Sequence, residues 1–261
     1  MKVVKFSLGK LPFSVIGYLH DDLSKICDTS ALHPALVICP GGGYRNLSPR
    51  EADPVAFRFF TRGINIFILS YSIGEEIKIE KPLLQVANCV SYVKEHAIEL
   101  GVDRDRVGVM GFSAGAHLAA SLAVHHNSTL LSAYPDAKPS LAILGYPAIT
   151  SGEYAHVGSF NHLCQREEER EFYSLEKSVS KDTVPCYIFH TANDQDVPVE
   201  NSLLFALALS KYKVPFELHI FQEGIHGISI ATNAVGRVSK RIQEWTEEAF
   251  KWMSAIWKYE E

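Results

Sequence analysis

Val107-Gly108-Val109-Met110-Gly111-Phe112-Ser113-Ala114-Gly115-Ala116-His117 joins a short apolar run to a tight turn between two glycines and then to an alanine-rich segment that continues to Val124. The spacing is G-x-S-x-G, the pattern of a strand-to-helix elbow that holds a serine in a strained conformation. The glycines two before and two after the serine let the two backbones pass closely, and the turn lifts the Ser113 hydroxyl clear of the sheet. The first turn of the following helix leaves the Ala114 N–H without an intrahelical partner, and the helix dipole favours negative charge there. Five residues alone decide little. The apolar run before them and the helical segment after them supply the context that the motif requires. Ser113 is therefore the candidate nucleophile and Ala114 a candidate oxyanion donor.

Outward from the elbow, strand-like and helix-like segments alternate, which predicts an α/β fold: a mainly parallel central sheet with helices on both faces. Residues 2–8 and 13–19 read as an opening antiparallel hairpin. Ala35 to Cys39 is a continuous apolar run, as expected of a strand buried on both faces, and it ends in Pro40-Gly41-Gly42-Gly43-Tyr44. Ser48-Pro49-Arg50-Glu51 has the form of a capping box with proline at the first helical position, so a helix is predicted from there to about Arg62. The three glycines then occupy a strand-to-helix loop. Further strands are predicted at Ile64 to Tyr71, Leu141 to Tyr146, Pro185 to His190 and Phe216 to Phe221. Pro82 opens a helix that Gly101 ends, and Pro198 opens another that runs to about Lys211. Ile242, Trp245, Ala249, Met253 and Ile256 mark the buried face of a closing helix. The residues from about 150 to 182 do not fit the alternation and read as a cap-like insertion in a single 1–261 domain. Within it, the charged run from Arg166 to Glu171 reads as the solvated face of a short helix.

Composition sets the outer limits. The 261 residues are 47% hydrophobic and 21% charged, sufficient for one sizeable core. A net charge of −5 without a cluster of Lys and Arg offers no electrostatic footprint for nucleic acid or an anionic membrane surface. The N-terminus alternates polar and apolar residues and lacks the pattern of a signal peptide, and no apolar run reaches the length of a membrane span. The five cysteines have no C-x-x-C spacing and lie mostly in apolar segments, which fits buried thiols in a reducing cytoplasm rather than metal ligands. Metal ligation by these cysteines is not expected.

A serine nucleophile requires a base, and the base requires a carboxylate to fix its tautomer. His226, in Glu223-Gly224-Ile225-His226-Gly227, follows the last predicted strand in a glycine-flanked loop and is the best-placed base. His20, His33, His96, His117, His125, His126 and His219 lie in ordinary strand, turn or helix settings that suit structural roles. The acid is sought in Thr191-Ala192-Asn193-Asp194-Gln195-Asp196-Val197-Pro198. With Pro198 at the first helical position, Val197 is the expected N-cap and Asp196 has a structural use beside the helix N-terminus. Asp194 has no such use and is favoured over Asp196. The chain order is then Ser113, Asp194, His226.

The Pro40 to Tyr44 loop, the Gly111 to Gly115 elbow, Asp194 with Val197-Pro198, and His226-Gly227 together resemble the α/β-hydrolases of the acetyl esterase branch, which includes acetyl xylan esterase-like and other carbohydrate-esterase-type enzymes. The resemblance spans the chain from about Ala35 to its end. Related lipases and esterases carry histidine before the glycines, where Pro40 stands here. The resemblance implies hydrolysis of short-chain acyl esters, often on sugars, through an acyl-enzyme without metal or organic cofactor. It also implies a second oxyanion N–H from Gly42 or Gly43. Tyr44 and, in the insertion, Tyr154, His156 and Phe160 are the candidate substrate contacts, with His162 nearby, because aromatic surface with hydrogen-bonding tips suits a small polar alcohol. A prolyl-peptidase-like hydrolase is the enzymatic alternative. A catalytically silent hydrolase-fold binding protein is a third reading, disfavoured because nucleophile, acid, base and glycine loop occur together.

Overall fold

The computed structural model describes residues 1–8, 13–27, 30–78 and 81–259. Its strands are β1 (Lys2–Ser7), β2 (Ser14–Leu19), β3 (His33–Cys39), β4 (Asn65–Ser70), β5 (Val102–Phe112), β6 (Ala142–Gly145), β7 (Cys186–Thr191) and β8 (Phe216–Phe221). The α-helices are α1 (Asp53–Phe60), α2 (Pro82–Glu95), α3 (Ala114–His125), α4 (Val157–Leu163), α5 (Glu167–Phe172), α6 (Glu200–Lys211) and α7 (Lys240–Trp257). The strands form one sheet in the order β1-β2-β4-β3-β5-β6-β7-β8. β1 and β2 pair antiparallel with each other and β2 does so with β4, while every pair from β4 to β8 is parallel. This is an α/β-hydrolase sheet.

The alternation of side chains along the central strands explains why these strands read as continuous apolar runs. On one face, Ala35, Val37, Val107 and Val109 pack under α2, α3 and α6 through residues such as Val86, Leu118 and Phe205. On the other, Leu36, Ile38, Met110 and Phe112 pack under α1 and α7 through Val55, Phe59, Trp245 and Met253. A strand covered on both sides has no solvent-facing positions to fill with polar residues. Trp245 stacks on Phe189 with ring centroids 4.3 Å apart, fixing α7 across the end of β7.

Three local expectations are corrected. The helix predicted from Ser48 to Arg62 is a 3-10 turn at Pro49–Glu51 followed by α1, and the Ser48 side chain makes no cap hydrogen bond. Pro54, in the first turn of α1, cannot sit inside a helix begun at Pro49, because its ring would meet the carbonyl of Arg50. α6 begins at Glu200 rather than Pro198, because residues 194–197 turn around the Asp194 carboxyl, which takes the N–H groups of Asp196 and Val197 at 2.9 Å each. On α7 the last buried position is Trp257, 5% exposed, rather than Ile256, 37% exposed. The buried stripe there takes a step of four from Met253, one of the two steps that keep residues on one helix face.

Candidate active site

β5 lies between β3 and β6 in the middle of the parallel part of the sheet, and its C-terminal end delivers Ser113. Ser113 has φ +54° and ψ −119°, a conformation that non-glycine residues rarely adopt and that the surrounding packing must hold in place. The packing leaves no room for side chains at the flanking glycines. A Cβ on Gly111 would stand 2.1 Å from the Gly115 carbonyl oxygen, and one on Gly115 would stand 2.0 Å from that of Cys39. Helix and strands can therefore cross at van der Waals distance only with glycine at both positions. Ser113 is 6% exposed, and its N–H is fixed by the Gly145 carbonyl at 2.9 Å.

The loops after β7 and β8 bring two further side chains to this hydroxyl. His226 Nε2 lies 2.8 Å from Ser113 Oγ, and His226 Nδ1 lies 2.8 Å from Asp194 Oδ2. A carboxylate can only accept, so Nδ1 carries the proton and the Nε2 lone pair is left to accept from the serine hydroxyl. Asp194 is held from every side. Its Oδ1 accepts from the Asp196 and Val197 N–H groups, and His190 Nε2 lies 3.4 Å from Oδ2. Burial by itself pushes the Asp194 carboxyl up. The hydrogen bonds from His190 and His226, the His226 charge and the Val197 N–H outweigh burial and hold it well below the usual carboxylate range. Asp196 contributes only its N–H to this arrangement.

Ala114 opens α3, so its N–H has no carbonyl one turn earlier in the helix. Across Ser113 lies the loop after β3. Gly41 is packed so closely that a Cβ there would stand 2.6 Å from the Phe112 carbonyl oxygen and 3.1 Å from Ser113 Cβ. The Gly41 N–H is occupied, donating to Glu51 Oε2 at 2.8 Å. The N–H groups of Gly42 and Gly43, which line the same cavity as Ser113, are the remaining donors of the glycine run.

Glu51 is the residue that local sequence reading misplaced. Read as the far end of a capping box, it instead turns inward, 2% exposed, and also accepts from the Tyr146 hydroxyl at 2.6 Å. Tyr146 receives the Ser229 N–H at 3.1 Å and meets the His226 ring edge-on, centroids 5.1 Å apart. One side chain thus ties the glycine loop to the histidine loop. Glu51→Ala would strand two buried donors, each costing about 1–3 kcal/mol. The expected result is a loss of about 2–4 kcal/mol in urea unfolding, with Glu51→Gln losing less. His190, fully buried at the end of an otherwise apolar strand, is the other residue missed. A polar side chain in so apolar a run was its available signal.

The cavity over Ser113 has a volume of about 460 Å³ and is walled by the 42–51 loop, by His156, Gly158 and His162 from the segment after β6, and by Asp196, His226 and Gly227. Of the four expected substrate contacts, His156 lines it. Its Nδ1 lies 2.7 Å from Ser159 Oγ, and burial, with His226 adding to it, lowers its pKa. Tyr44, Tyr154 and Phe160 do not line it. Tyr44 is 1% exposed and its hydroxyl donates to His117 Nδ1 at 2.8 Å, while His117 Nε2 donates to the Tyr173 carbonyl at 2.9 Å. Phe160, also 1% exposed, packs edge-on against His117, centroids 5.3 Å apart. Phe160 and Tyr173 fix the 150–182 segment to α3, Tyr44 fixes the glycine loop to it, and these side chains are spent on packing. Burial lowers the pKa of His117 to about 4, consistent with the structural role read from its sequence setting. The backbone at Tyr154 is pinned by Asn201, whose Nδ2 donates to its carbonyl at 2.9 Å.

Sheet order, elbow and the serine–histidine–aspartate alignment define the class: this is an α/β-hydrolase. Residues 75–252 match the prolyl oligopeptidase family, and the chain belongs to it. The matched span contains Ser113, Asp194 and His226 and leaves the glycine loop and Glu51 outside. Endo-1,4-beta-xylanase B of Butyrivibrio fibrisolvens is 37% identical over 238 residues, covering 87% of this chain and 36% of that protein. The acetyl ester-xyloside bifunctional hydrolase of Caldicellulosiruptor lactoaceticus superposes with a TM-score of 0.81 at 33% identity, covering 95% of this chain and 89% of the other. The carboxylesterase Cest-2923 of Lactobacillus plantarum WCFS1 superposes with a TM-score of 0.87 at 26% identity, covering 98% of both chains. The chain spans 36% to 45% of the length of the first three curated relatives that it matches. Among the described residues, no helix is long and apolar enough to cross a membrane, and no group of three or more His, Cys, Asp or Glu is placed to hold a metal ion.

Proposed function

We propose that this chain is a serine esterase that hydrolyses short-chain acyl esters, acetyl esters foremost, of small polar alcohols such as sugars. The observation that carries the proposal is the unbroken hydrogen-bonded line from Ser113 Oγ through His226 to Asp194, opening on a cavity shared with Gly42 and Gly43. In the proposed reaction His226 Nε2 takes the Ser113 proton as Oγ attacks the ester carbonyl carbon. The oxyanion is held by the Ala114 N–H and by Gly42 or Gly43, each such donor contributing about 3–4 kcal/mol to the transition state. His226 then protonates the leaving alcohol, and water, activated by the same imidazole, releases the acid from the acyl-enzyme. Residues 1–261 act as one domain on this reading, with the 150–182 segment as a cap over the alcohol.

The cavity wall supports the short acyl group. Among the described residues that line it, Pro49 is the one apolar side chain beyond glycine; the others are polar or charged. A buried methylene gains about 0.8 kcal/mol only where apolar surface covers it, and Pro49 is the one apolar side chain lining this wall to do so. The expected result is that kcat/KM for 4-nitrophenyl esters falls from acetyl to octanoyl. A steady rise toward long chains would instead make the protein a lipase-like esterase. The family match favours a second reading, hydrolysis of peptide bonds. Acetyl ester and aminoacyl anilide substrates compared side by side separate the two, and the esterase reading predicts turnover of the ester at least a hundredfold above the anilide.

A further inference from the structure

Among the described residues, every arginine except Arg45, Arg50 and Arg237 forms a salt bridge with a carboxylate. Two of these three exceptions face the cavity that holds Ser113. Neither the Arg45 nor the Arg50 guanidinium has a hydrogen-bond or ion-pair partner among the described residues. Arg50 is also held in position. It stands in the 3-10 turn Pro49–Glu51, its carbonyl accepts from Ser229 Oγ at 2.6 Å, and its Nη2 would lie 3.0 Å from a Cβ on Gly227. A half-buried guanidinium thus rests against the residue that follows His226, with no carboxylate paired to it among the described residues. An arginine left unpaired beside a reacting hydroxyl is matched by a planar oxyanion, to which its fork donates two hydrogen bonds.

We propose that Arg45 and Arg50 form a subsite for a carboxylate carried by the alcohol portion of the ester, so that the preferred substrates are acyl esters of acidic alcohols, acidic sugars among them. The inference rests on the esterase reading and narrows its substrate class. Two acidic groups share the cavity, and both limit the ligand's charge. Glu51 has each oxygen engaged, by the Gly41 N–H and the Tyr146 hydroxyl. Asp196 lines the cavity and also the adjoining hollow with Ile225, His226 and Arg237. Two arginines against two acids suit a monoanion better than a doubly charged phosphate, which both acids would repel.

The test compares 4-acetoxybenzoate with its neutral isostere 4-acetoxybenzamide and with 4-acetoxyphenyl phosphate. The expected wild-type order of kcat/KM is benzoate first. The ratio of benzoate to benzamide should fall about tenfold or more in the Arg45→Gln/Arg50→Gln double variant, and it should shrink with added salt. Arg45→Gln alone, at an exposed position, gives a smaller fall and keeps the test open if the double variant does not fold. A ratio unchanged by the substitutions, or a phosphate preferred over the benzoate, would overturn the subsite. A second arm is independent of hydrolysis: calorimetric binding of 4-hydroxybenzoate and 4-hydroxybenzamide to Ser113→Ala protein. Tighter binding of the anion that is lost on adding the arginine substitutions supports the subsite even if neither ester is turned over. Equal binding of the two overturns it, whatever the fate of the esterase reading.

Discussion

Ser113→Ala is expected to lower kcat on 4-nitrophenyl acetate by about four to six orders of magnitude. What survives would come from the oxyanion donors and from binding alone. The fold should be retained. Alanine inherits the backbone strain that serine already bears at φ +54°, and the bonds that fix the elbow, Ser113 N–H to the Gly145 carbonyl and His117 N–H to the Ser113 carbonyl, are main-chain bonds. The lost side-chain contact is the one hydrogen bond to His226. Steady-state kinetics paired with a thermal melt separates the two quantities. Near-normal turnover in a folded variant would remove Ser113 from the mechanism.

Asp194→Asn has the next largest expected effect, about 10⁴-fold in kcat, against less than about tenfold for Asp196→Asn. The asymmetry follows from geometry. An asparagine amide can present N–H to His226 Nδ1, which then accepts, and the imidazole proton moves to Nε2 where it can no longer take the serine proton. Asp196 touches neither ring nitrogen of His226. Asp194 also carries a signature in stability. Its carboxyl titrates lower in the folded chain than in the unfolded one, so its contribution is complete above the unfolded value of about 4 and is lost as pH falls toward the folded value. Wild type and Asp194→Asn should therefore differ more in urea midpoint at pH 7 than at pH 3. Equal losses of activity for the two asparagine variants would reverse the assignment of the acid.

How much of this was legible in the sequence varies with how local the physics is. The central strands were legible because burial on both faces leaves an uninterrupted apolar run, and β8 was placed at Phe216–Phe221 to the residue. The elbow was legible because two glycines are forced by backbone contacts near 2 Å. Asp194 could be favoured over Asp196 because loop position and nearness to a helix start are sequence-local. Glu51 was not legible: Ser48 to Glu51 satisfies a capping pattern, and only the tertiary approach of Gly41 and Tyr146 draws the carboxyl inward. Tyr44 and Phe160 misled for the same reason. Their composition suits a binding wall, but α3 presents His117 beneath them and packing takes them instead. Arg45 and Arg50 carry no motif, and their lack of partners becomes visible only when the 150–182 segment and the His226 loop close the cavity around them.

The central claim is that Ser113 is a nucleophile activated by His226. Reaction with a fluorophosphonate probe followed by peptide mass spectrometry tests it most directly. The prediction is a single adduct on the peptide containing Ser113, slowed by 4-nitrophenyl acetate as competitor and absent from Ser113→Ala and strongly reduced in His226→Ala. An unlabelled wild-type protein, or an adduct on any other residue, would contradict it.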